Sequence, residues 1–119
     1  MRAMNSYTPE RRVQRSSNPS EALSCWLEAV RRRHALTSLA LADSLGTVVA
    51  GAGPARECDE LAAWAPLFLQ EETRSNAPFA LSLAPVPGFD AYVCTESELP
   101  NEALTTAAAG CSRILRARG

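Results

Sequence analysis

Apolar and polar positions along the chain alternate between two periods, and each switch marks an element. After Pro19, Ala22, Leu23, Trp26, Leu27 and Val30 recur at helical spacing, with His34 a turn beyond. Residues three and four apart share one face of a helix, so this stripe predicts an amphipathic helix. Asn18 suits the N-cap, Pro19 the first helical position and Glu21 the third. Arg31, Arg32 and Arg33 close the last turn, where positive charge meets the negative end of the helix dipole. The period then falls to two. Leu39 and Leu41 alternate with Ala40 and Ala42, and Thr47-Val48-Val49 forms a second β-branched run. Between them Asp43-Ser44-Leu45-Gly46 reads as a tight turn in which Gly46 takes the positive φ, so 35–53 predicts a hairpin. Gly51-Ala52-Gly53-Pro54 is read as the break that ends it.

A second helix is predicted over 55–73. Cys58, Leu61, Ala62, Ala65, Phe68 and Leu69 form one apolar side, and Trp64 and Leu67 widen it beyond what one sheet contact needs. Glu57, Asp59 and Glu60 suit its N-terminal end. Pro66 lacks a backbone donor and is expected to kink or split the helix near Ala65. Residues 74–77 read as a loop. Phe79, Leu81 and Leu83 then alternate with Ala80, Ser82 and Ala84, which predicts a strand over about 78–84 with one large and one small face. A further strand is predicted over 89–95. Pro78, Pro85 and Pro87 limit ladder bonding around the first of these strands and mark short strands or an edge. A last helix over 101–116 buries Leu104, Ala107, Ala108, Cys111, Ile114 and Leu115, with Gly110 as a point of close packing. Residues 1–17 are polar, lack periodicity and read as a disordered tail.

Composition changes this picture in two ways. The 119 residues fit one domain, and the apolar fraction contains 21 alanines against 14 leucines. Each buried Ala removes little apolar area from water, so the core is thin and association would help. All twelve basic residues are Arg. Residues 1–35 hold seven of them against three acids, a balance of +4, and 36–119 hold five against ten, a balance of −5. The net charge of −1 argues against general nucleic-acid or membrane binding. The Arg31–Arg33 triplet spreads around its helix, so it is read as a helix end in preference to a phosphate-binding face.

Candidate chemistry is sparse. Cys25, Cys58, Cys94 and Cys111 form no CxxC or CxxH pair, and His34 is the only histidine, so no metal site is expected; no secretory segment is read, so no disulfide framework is expected either. The cysteines read as buried small hydrophobes. A cysteine nucleophile needs a base, and no acid or nucleophile is tied to His34 in sequence. The 51–54 stretch GAGP lacks both phosphate-loop patterns. No cofactor is therefore expected. No run of about eighteen apolar residues is present, and the N-terminus has no signal-peptide apolar region, so a cytoplasmic location is expected.

Helix, strand, strand, helix, strand, strand, helix predicts an α+β domain, a three-layer α/β/α sandwich with a central antiparallel sheet. The run Leu41-Ala42-Asp43-Ser44-Leu45-Gly46-Thr47-Val48-Val49-Ala50, with an amphipathic helix on either side, resembles the roadblock/LC7 family, a profilin-like fold. The resemblance covers about residues 18–116 and assigns 18–119 to one roadblock-like domain. The family usually has three strands between its second and third helices, whereas this sequence shows two. The resemblance implies a homodimer with the second helices side by side and the sheets joined across a two-fold axis. It also implies partners among Ras-like small GTPases or the complexes that control them, as for the bacterial MglB- and MglC-like members in motility and polarity modules.

The expected function is therefore a non-enzymatic, dimerising scaffold or adaptor. Its expected partners are itself and regulators of a Ras-like GTPase, namely another roadblock protein or a response-regulator or polarity protein. Pro66 and the short strands favour a scaffold of the MglC kind. Two alternatives stay open: a roadblock protein that activates the GTPase directly, and a small ligand-sensing domain of the profilin or PAS kind. The expected dimer or partner interface comprises Leu61, Trp64, Leu67 and Phe68 of the second helix with Phe79 and Leu81 of the strand that follows.

Overall fold

The computed structural model of this protein describes residues 19–76, 80–96 and 101–118. The tail 1–17, the cap residue Asn18, and Pro78 and Phe79 of the third strand lie outside the described residues. The first helix, α1, spans Pro19–Arg33. A hairpin of β1 (Leu39–Asp43) and β2 (Val48–Ala52) follows, then α2 (Ala55–Trp64). A 3-10 turn at Leu67–Leu69 leads into a short α3 (Glu71–Asn76). The strands β3 (Ser82–Pro85) and β4 (Ala91–Thr95) precede α4 (Asn101–Arg118).

The four strands form one antiparallel sheet in the order β2-β1-β4-β3, so the fold is α+β. Helices cover both faces. The alternation in β1 decides which helix meets which face, because successive side chains of a strand point to opposite sides. Leu39 and Leu41 point into a core with Leu23, Leu27 and Val30 of α1 and Leu104, Ala107 and Cys111 of α4. Ala40 and Ala42 point the other way, into a smaller core with Cys58, Leu61 and Ala62 of α2 and Ala65 just beyond it. The large side chains thus separate the sheet from two helices, and the small ones let a single helix settle close to it.

The end of α1 shows how local chemistry fixes the entry to the sheet. Leu36 N–H donates to the Arg31 carbonyl at 2.9 Å and Ala35 N–H to the Arg32 carbonyl at 3.2 Å. These two bonds close a Schellman motif, which puts its C′ residue in the left-handed region. That residue is Ala35, at φ 54°, where glycine is the usual occupant. Ala35→Gly should relieve about 1–2 kcal/mol of left-handed strain and give back roughly 0.4–1 kcal/mol through unfolded-chain entropy. A net gain of about 0.5–1 kcal/mol in a denaturant titration is expected. A loss of stability would contradict the capping role.

The expected turn is in place: Gly46 has φ 88°, and its N–H donates to the Asp43 carbonyl at 3.1 Å. The Asp43 carboxylate also accepts from Leu45 N–H at 3.0 Å and Thr47 N–H at 2.9 Å, so this acid is a turn fastener. Several boundaries differ from the sequence reading: residues 74–76, read as loop, belong to α3, and β4 starts at Ala91 and not at 89. Gly51 and Ala52 belong to β2, where Gly51 pairs with Ala40; a Cβ at Gly51 would lie 2.8 Å from the Cys58 sulfur, so the missing side chain lets α2 approach. Within the expected 51–54 break, the chain turns only at Gly53, with φ 98°. The third strand starts at Ser82, with Ala80 and Leu81 outside the ladder, and α4 runs two residues further than expected. Pro66 splits the second helix as anticipated, and β3 is an edge strand. Among the described residues two strands, β3 and β4, lie between α2 and α4.

Candidate functional site

The surface named from sequence is built on α2 and the turn that ends it. Pro54 enters α2 with extended backbone and no side-chain cap bond, and Glu57 sits in the first turn. Cys58, Leu61 and Ala62 face the sheet. At the far end Ala65 N–H still reaches the Leu61 carbonyl at 3.0 Å, but Pro66 has no N–H to offer the next one. The backbone tightens to 3-10 geometry, with Phe68 N–H on Ala65, Leu69 N–H on Pro66 and Gln70 N–H on Leu67. The change of pitch turns Phe68 inward, to 2% exposure, and Leu67 and Leu69 outward, to 46% and 45%. Phe68 meets Trp64 edge to face, with ring centroids 5.9 Å apart.

The expected interface residues therefore divide. Leu61 and Phe68 are buried within the chain, Trp64 and Leu81 are half-buried, and Leu67 is the exposed one. Leu61 belongs to the core beneath α2, and Leu81 packs against that core. Phe79 lies outside the described residues. The sequence reading missed two neighbours of this surface. Helical spacing puts Leu69 on the apolar side of the second helix, and the 3-10 turn rotates it outward. Leu45 is 87% exposed at the tip of the β1–β2 hairpin. That tip abuts the end of α2, since a Cβ on Gly46 would lie 3.4–3.6 Å from Ala62, Ala63 and Pro66. A leucine between Ser44 and Gly46, where the turn itself asks for no apolar side chain, was the available signal.

Other polar groups serve the fold. Arg31 and Arg32 fold back onto Glu28 at 2.6 and 2.7 Å, and Arg31 also donates to the Leu36 carbonyl. Hydrogen bonds from Arg31 and then Arg32 hold the Glu28 carboxyl at about 2. Two of the three clustered arginines are thus engaged within the helix end. Cys25 is exposed, and the other three thiols are buried. Desolvation pushes Cys94 up to about 12 and Cys111 up to about 11, and it also raises Cys58, so these thiols stay protonated and are poor nucleophiles.

His34 lines a cleft of about 300 Å³ between α1 and α4, with Trp26, Arg33, Glu102 and Thr106 among its neighbours and no cysteine in the lining. Another groove, of about 690 Å³, runs between α1 and β2 beside Cys25. Among the described residues no group of three or more His, Cys, Asp or Glu side chains is placed to hold a metal ion. No described helix is long and apolar enough to cross a membrane.

No protein-family model, curated protein or solved structure matches the chain.

Proposed function

We propose that this chain is a non-enzymatic, roadblock-type adaptor that dimerises and binds regulators of a Ras-like small GTPase. The observation that supports it most is the apolar surface at the end of α2. Leu67 and Leu69 are both about half exposed on one 3-10 turn, beside the hairpin tip that carries Leu45. Apolar side chains gathered at one end of a helix are what a protein partner covers. The hairpin between two amphipathic helices, and α2 packed on the face of the sheet opposite α1 and α4, are in keeping with the resemblance.

The partner classes follow from the same reading: a second copy, another roadblock protein, or a response-regulator or polarity protein of a bacterial motility module, in the cytoplasm. Adding the protein to a Ras-like GTPase, alone and with a second roadblock protein, separates adaptor from activator. The expected result is co-purification with the regulator and an unchanged rate of GTP hydrolysis. Acceleration of hydrolysis by this chain alone would overturn the adaptor reading in favour of direct activation.

A further inference from the structure

No further inference is drawn: the strongest candidate, the groove of about 690 Å³ between α1 and the β2 edge of the sheet, is an unpartnered face whose strand is interrupted by a register shift opposite Leu41 and Ala42, and nothing in the structure shows what covers it.

Discussion

Leu41→Ala is expected to lower the unfolding free energy by about 2–5 kcal/mol, the range for emptying a fully buried leucine site. Leu41 has no exposed surface and sits on β1, an inner strand, paired with Ala50 on one side and Val93 on the other. Its side chain lies in the core that α1 and α4 share. That core packs Leu23, Leu27, Leu39, Val93 and Leu104 together with alanines such as Ala50, Ala84 and Ala107. The cost within that range depends on how far these neighbours relax into the space the leucine leaves. Domains of this size hold about 5–15 kcal/mol in total, so the variant forfeits a large share of it. A denaturant midpoint with unchanged slope reads the loss directly. A loss below about 1 kcal/mol would mean that the leucine face of β1 is not the main core.

Gly110→Ala is expected to destabilise the protein although it improves a helix. In an exposed helix interior this change gains about 1 kcal/mol. Here a Cβ would stand 2.2–2.4 Å from the Trp26 indole, far inside contact distance. The ring is also held by its N–H, which donates to the Ala107 carbonyl at 2.8 Å. Making room means moving a bicyclic side chain and stretching that bond. Overpacking of this kind costs about 1–3 kcal/mol, and the weakened hydrogen bond adds about 1 kcal/mol. The packing term wins, and a net loss of about 1–3 kcal/mol is predicted. The double variant reveals the cause. In a Trp26→Ala background the clash is gone, and Gly110→Ala should then be neutral or stabilising by up to about 1 kcal/mol. Equal destabilisation in both backgrounds would assign the effect to something other than the indole.

These two positions mark how far the sequence could be read. The Leu/Ala alternation in β1 was legible because a strand has a fixed period of two. It announced two faces of unequal size, and α1 with α4 meet one while α2 meets the other. Gly110 was legible as a point of close packing, yet its neighbour was not, since Trp26 lies on another helix 84 residues earlier in the chain. Gly51 was read as a breaker because glycine favours turns; the reason it stays in the strand is Cys58, seven residues on and facing it across the hairpin's outer layer. Ala35 gave no signal, because an alanine in the left-handed region is selected by the helix-end bonds around it and not by its own preference.

The candidate site was half legible for a similar reason. Pro66 announced that the helix would split, but the apolar positions beyond it were still counted on a period of 3.6. The tighter turn leaves Phe68 inward and Leu67 outward, as helical counting has them, and moves Leu69 from the apolar side to the surface. Leu61, which helical counting placed with the interface, belongs to the core beneath α2.

Light scattering on size-separated protein, with the chain and its Leu67→Arg variant at tens of micromolar, tests the central claim most directly. Leu67 is half exposed, so arginine there leaves the fold intact while placing a charge in the proposed contact. Twice the chain mass is expected for the unsubstituted protein, with a shift toward the single-chain mass for the variant. A strict monomer in both, with regulator binding also unaffected by the arginine, would contradict it.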